Sequence, residues 1–280
     1  MSKKENSVNQ ITEGVIWKQL LIFFFPIMLG TLFQQLYNTA DAVVVGRFVG
    51  TQALAAVGGS TGQITNLIVN FFVALASGAT VIIARYYGAK NKKDLNDTLH
   101  TAAALSIVGG IITTVIGIAL APVLLEMMKT PRDVLPDSVT YLRIYFAGII
   151  FIFIYNVGSA ILRAVGDSTR PLYFLIICCF INIFLDILLV VGFNMGVAGA
   201  AAATVISQIV SAILIIHALI KSSDMYQLQP RQIRFHKFLL VSIITIGLPA
   251  GIQSVMYNIS NIIIQTSLNN LGTDTMAAYT

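Results

Sequence analysis

The stretch from Trp17 to Val57, WKQLLIFFFPIMLGTLFQQLYNTADAVVVGRFVGTQALAAV, decides how the rest of the chain is read. It exceeds the roughly 20 apolar residues that cross a bilayer as a helix, yet it carries Pro26 within its apolar run and Asp41 beyond it. An acid at membrane depth costs about 2.5–3.5 kcal/mol on insertion scales, so it normally faces a wet cavity or a partner and marks an ion or substrate path. Asp41 is therefore the first candidate functional residue. Pro26, which removes a helical hydrogen bond, is the first candidate bend. The same pattern returns as KFLLVSIITIGLPAGIQSVMYNISNIIIQTSLNNLGTDTMAAY from Lys237 to Tyr279. GTQALAAV at 50–57 is answered by GTDTMAAY at 272–279, an offset of 222, while Pro26 and Pro249 are offset by 223 and Tyr37-Asn38 and Tyr257-Asn258 by 220. The spacing predicts one complete repeat followed by the start of a second.

Composition agrees with a membrane location. The 280 residues are 56% hydrophobic and only 10% charged, with a mean hydropathy of +0.83, whereas a soluble domain carries about a quarter charged residues. A net charge of +5 would suit nucleic acid only if the bases were clustered on a folded face. They lie instead between apolar runs, so no nucleic-acid partner is expected. The polar start, MSKKENSVNQITEG, lacks the short apolar core of a cleaved signal. Cys178 and Cys179 are adjacent in an apolar run and read as packing residues.

Further spans are expected at about 54–84, 98–127, 139–162, 172–191 and 197–220, with a seventh opening at Lys237. RYYGAKNKKDLND, from Arg85 to Asp97, reads as a solvated loop, KTPRDVLPDS as a proline-stopped connection and RAVGDSTRP as a turn. The loops on the side of the amino terminus hold Arg85, Lys90, Lys92, Lys93, Arg163, Arg170, Lys221, Arg231 and Arg234. The opposite side holds only Arg47, Lys129, Arg132 and Arg143. The excess of bases places the amino terminus in the cytoplasm. Six spans separate the two repeat starts, which therefore begin on the same side and form a parallel repeat about an axis along the membrane normal. The division expected is a cytoplasmic tail at 1–14, a six-helix lobe at 15–220, a cytoplasmic linker at 221–236 and a truncated second lobe at 237–280.

Asn182 and Asp186 are four apart and share a helix face. With Asp41, and with Thr204 and Tyr37 as neighbours, they offer hard oxygen donors suited to a small cation or a proton. Histidine and cysteine form no competing metal pattern, and His100, His217 and His236 read as interfacial residues near span ends. Blander readings stand beside these. A membrane Asp or Asn can simply bond a neighbouring helix, which applies most to Asn66, Asn70 and Asn156. Thr204 can bond its own backbone, and of the adjacent Gln34 and Gln35 at most one is expected to face a cavity squarely.

Together, the proline-bearing first span with YNTAD and VGR, the ARYYGAKN end of the second, LRAVGDSTRP, the N-x-x-x-D of the fifth and the GAAAAT of the sixth resemble the bacterial branch of the multidrug and toxic compound extrusion (MATE) family. The resemblance covers essentially the whole chain. It implies an all-α polytopic membrane protein with twelve helices in two six-helix lobes, exporting organic cations or other amphipathic molecules against inward sodium or proton flow. It also implies that Asp41, Asn182, Asp186, Thr204 and the backbone near Ala200, with Tyr37 nearby, hold the coupling cation, and that Gln34, Tyr37 and Asn156 line the cavity. No enzymatic activity and no cofactor beyond the coupling ion is expected; the partners are small cationic or amphipathic molecules, the lipid bilayer of a bacterial inner membrane and the missing second lobe. The rival readings are a lipid or lipid-linked sugar flippase, which would want a base in the cavity, a membrane-embedded transferase, which would want clustered acids, and a non-transporting fragment.

Overall fold

The computed structural model describes residues 15–222 and 225–279. The expected tail at 1–14 lies outside them. The described residues form helices without strands: α1 (Ile16–Phe48), α2 (Thr51–Gly58), α3 (Ser60–Gly88), α4 (Lys92–Met127), α5 (Leu135–Ala164), α6 (Thr169–Asp186), α7 (Gly196–Ile220), α8 (Lys237–Asn269) and α9 (Thr273–Tyr279). Among them are seven segments long and apolar enough to cross a membrane, Thr51–Gly88 counting as one. Trp17, Leu20, Phe24, Phe25 and Leu32 stay exposed along α1, as apolar side chains can where the solvent is lipid rather than water.

Two boundaries differ from the sequence reading. The second span is broken at Gly59, whose backbone (φ −66°, ψ −115°) leaves the helical region and separates α2 from α3. The expected loop at Arg85–Asp97 is mostly helix: α3 runs on to Gly88 and α4 starts at Lys92. Asn91 caps the new helix, its Oδ1 accepting from the Asp94 N–H at 3.3 Å. Polar residues mark the edge of the bilayer there, but Lys, Asp and Leu are compatible with a helix that continues into water.

The core lies among α3, α4, α5 and α7, where Phe72 and Phe153 stack with ring centroids 3.7 Å apart. Helix α8 lies against α3 with almost no side-chain spacer. A methyl group on Gly78 would run into the Ile243 carbonyl oxygen, and one on Gly247 into that of Leu75. Small residues permit such close approach where water supplies no hydrophobic drive between helices. At one end of this contact the Asn269 amide donates to Ser60 Oγ (2.8 Å) and to the Met128 carbonyl (2.7 Å), while the Gln265 amide donates to Asn269 Oδ1 (3.0 Å). The repeat seen in the sequence is also visible in three dimensions. Helices α1 and α8 each have 33 residues with an internal proline, and the turns after them use Gly50 (φ 121°) and Gly272 (φ 96°) in a conformation that favours glycine. The short helices that follow, α2 and α9, pack on each other, with Met276 buried in a cluster that includes Ala53, Ala55 and Ala56.

The segment between α7 and α8 is tied down more firmly than its polar composition suggests. Tyr226 is buried and meets Tyr87 edge-on at 6.3 Å. His100, expected at an interface with water, is buried on α4, with Nδ1 2.8 Å from the Asn96 carbonyl. Its Nε2 lies 3.0 Å from the Gln229 nitrogen and 3.1 Å from the Gln229 carbonyl oxygen, which ties the ring to the segment before α8.

Candidate functional site

A cavity of about 780 Å³ opens among α1, α2, α3, α5 and α7. Helix α1 contributes Gln34, Gln35, Tyr37, Asn38 and Asp41, from its carboxyl-terminal half. Helices α3, α5 and α7 contribute Asn66 and Asn70, Tyr141 and Tyr145, and Thr204 and Gln208 from their amino-terminal halves. Each of these half-helices lies toward the end of the bundle opposite the base-rich loops around Arg85 and Lys221. The acids and most of the polar lining therefore lie toward the end away from those bases, while Ile152, Tyr155 and Asn156 of α5 carry the cavity past the middle of the bundle.

Asp41 and Asp186 meet in its wall. Asp41 is 8% exposed and Asp186 fully buried, and their carboxyl groups lie within hydrogen-bonding reach of each other. Two carboxylates provide four acceptor oxygens and no donor, so a proton or a cation is needed to hold them together. No donor from the described residues supplies it: Asp41 Oδ1 and both Asp186 oxygens lack a hydrogen-bond partner. Around them the hydroxyls of Tyr37 and Thr204 and the Asn182 amide are likewise buried without a partner. Tyr37 and Tyr141 both lie beside Thr204 and near Asp41. Ala200 is fully buried one turn before Thr204. Such hard oxygens are of the kind that suits a monovalent cation, and two carboxyl groups side by side the kind that suits a shared proton. Asp186 is also the last α-helical residue before a π-helical segment, Ile187–Gly192; wide turns of this kind recur at functional sites.

The structure thus brings Asp41, Asp186, Thr204 and Tyr37 to one place, with Asn182 and Ala200 buried on the same helices. Gln34 and Asn156 line the cavity at a distance from the acids, and the Asn156 Nδ2 donates to its own helix at Ile152 (2.8 Å). Pro26 is inside an unbroken α1 and lines a smaller cavity of about 220 Å³ toward the other end, with Arg163, Ser168 and Tyr155. Gln34 and Gln35 both face the large cavity, against expectation, because it is wide enough to span two adjacent positions of one helix. Tyr141, Tyr145 and Gln208 escaped the sequence reading; the only signal for the tyrosines was that 141, 145, 152 and 156, at intervals of four, seven and four, fall on one helix face.

A multi-pass helical membrane protein with an internal repeat and a buried acid pair at a polar cavity defines the class. Residues 26–188 match the MatE family, and the chain belongs to it. It is 32% identical over 271 residues to a probable multidrug resistance protein of Bacillus subtilis (strain 168), an alignment covering 94% of this chain and 58% of that protein. It superposes on an outward-facing multidrug resistance MATE family transporter of the MOP superfamily with a TM-score of 0.86 at 26% identity, covering 99% of this chain and 61% of that one. For an inward-facing structure with the same description the TM-score is 0.80 at 27% identity, covering 88% and 56%. The chain therefore spans about three fifths of the length of these relatives, which are named as a resistance protein and transporters rather than enzymes.

Proposed function

We propose that the chain forms the amino-terminal part of a cation-coupled efflux antiporter for cationic or amphipathic molecules, working by alternating access. The observation that carries this reading is the buried Asp41–Asp186 pair in the wall of the 780 Å³ cavity. Substrate enters from the cytoplasm and occupies the cavity near Gln34, Tyr37 and Asn156. An external proton or sodium ion then engages Asp41 and Asp186, with Asn182, Thr204 and the backbone near Ala200 completing its ligands, and favours release. Coupling requires that this ion bind the two conformations unequally, since a ligand with equal affinity for both shifts nothing. The closer superposition on an outward-facing relative, with a TM-score of 0.86 against 0.80 for the inward-facing one, supports an outward-open state.

The proposed division is a lobe at 15–220, a linker at 221–236 and the start of a second lobe at 237–280, in a bacterial inner membrane with the amino terminus cytoplasmic. A flippase for anionic headgroups is disfavoured because no Lys or Arg among the described residues lines the large cavity. The test is export of a fluorescent cationic dye from cells carrying the complete protein, with the sodium and proton gradients collapsed in turn. Gradient-dependent export that is lost in Asp41→Asn supports the reading; export unaffected by the substitution refutes the assignment of the pair.

A further inference from the structure

The wall of the large cavity is polar in a particular way. Ligand pockets are lined mostly by apolar and aromatic side chains, with a few placed polar groups. Here carboxamides face the space from three helices: Gln34, Gln35 and Asn38 on α1, Asn66 and Asn70 on α3, and Gln208 on α7. On α1, Asn38 and Gln34 are about one and two turns inward of Asp41, and on α7 Gln208 is one turn inward of Thr204. Asn66 and Asn70 are one turn apart and share their face with Val69 and Val73, which also line the cavity. Across from them the Tyr141 and Tyr145 rings lie 6.2 Å apart and within 20° of parallel. Among the described residues Asp41 is the one charged group in this wall.

These amides do not tie helices together, which is the usual reason for Asn and Gln in a bilayer. Gln34, Asn66 and Asn70 make no hydrogen bond to another described residue. The Asn38 amide reaches Gln35 of its own helix only at 3.5 Å. Gln208 is 9% exposed and its Oε1 has no partner. Each carboxamide offers two donors and an acceptor. Water satisfies such groups in an open cavity, and a ligand that displaces the water without returning its hydrogen bonds loses affinity. An organic ammonium with a hydrocarbon body brings no acceptor for the amide N–H groups. A hydroxyl both donates and accepts, and so matches either end of a carboxamide.

We propose that the cavity recognises uncharged amphiphiles rich in hydroxyl groups, of which an aryl glycoside is the simplest, and that Asn66, Asn70 and Gln208 read the hydroxyls. The inference rests on this cavity being the substrate site of the efflux reading and names the class of molecule it takes. The apolar body of the ligand packs against Val69, Val73 and the Tyr145 ring, and its polar end meets the amides of α3 and α7. Asp41 is then left to the coupling ion, and charge on the cargo is not what selects it. A wall of hydrogen-bonding groups discriminates strongly against an analogue of the same shape that lacks the hydroxyls, because its own polar groups are left unpaired.

The test is equilibrium binding of two neutral fluorescent probes, 2-naphthyl β-glucoside and 2-methoxynaphthalene, to the complete protein in liposomes, with protein-free liposomes as the blank. The glucoside should bind the parent about tenfold tighter or more, and should displace a bound fluorescent cationic dye. Asn66→Ala/Asn70→Ala should weaken the glucoside by about tenfold and Gln208→Leu by about threefold or more, each leaving 2-methoxynaphthalene within about twofold. Thr114→Val, which removes a hydroxyl bonded to the Phe146 carbonyl outside the cavity, should change neither probe. Glucoside binding no tighter than that of the ether, or unchanged in both amide variants, overturns the proposal. So does equal loss of both probes in both variants, which would make the amides supports of the cavity's shape. Glucoside that binds without displacing the dye overturns this assignment alone, whereas the efflux reading fails separately, if the parent exports no dye under either gradient.

Discussion

Asp186→Asn replaces one charge of the buried pair with a neutral group of the same shape, so the fold should survive while the electrostatics change. Two unit charges about 4 Å apart at an effective dielectric of about 20 interact by about 4 kcal/mol. A monovalent cation held between the carboxylates gains about that much from each. Removing one charge should therefore weaken the coupling ion by about a thousandfold, at about 1.4 kcal/mol for each factor of ten. The readout is the sodium concentration, or pH, giving half-maximal dye release from the complete protein in liposomes. Asp41→Asn should shift it comparably, and the double variant by less than the sum, because the two groups hold one ion. A half-maximal point within about threefold of the parent in Asp186→Asn would refute the shared-ion arrangement.

Three other outcomes are expected. Gly247→Val should push α8 off the Leu75 carbonyl, costing about 1–3 kcal/mol as overpacking does; a thermal melt in detergent should show the loss, whereas Gly88→Ala, where a methyl group meets nothing within 4 Å, should melt as the parent does. Asn269→Ala removes the donors to Ser60 and Met128 and should cost about 1–3 kcal/mol, read as faster proteolysis near the end of α8; an unchanged digestion pattern would contradict its role as a clamp. Cysteines at Lys92 and Arg132 should react with an impermeant thiol reagent from the cytoplasmic and outer faces respectively, over a low background because Cys178 and Cys179 are buried; labelling of both from one face would overturn the orientation.

The fold was largely legible because bilayer thickness imposes long apolar runs and because the duplicated Pro and GT-x-x-x-A-A pattern survives in residue type. The acids were legible for the same reason, since nothing cheap places Asp41 or Asp186 in an apolar run. What stayed hidden depends on backbone geometry or on distant partners. The π-helical segment after Asp186 has no residue signature, as Ile, Leu and Val accept an α-helical turn equally well. His100 looked interfacial because its partner, the Gln229 backbone, lies 129 positions away. Tyr141 and Tyr145 were not singled out, because what sets them apart is the cavity that α1 and α7 close opposite them and not their residue type or spacing.

The glycine contact between α3 and α8 carries a consequence for movement. The sequence repeat begins at Lys237, yet α8 presses its backbone onto α3, α9 rests on α2 and the segment before them is pinned to α4. The seam left by duplication is thus not where the molecule is free to slip. A rocking motion would have to roll along the bare peptide surfaces of Gly78 and Gly247 while the Phe71 ring on Gly251 and the Asn269–Ser60 bond hold on either side, or find its joint elsewhere.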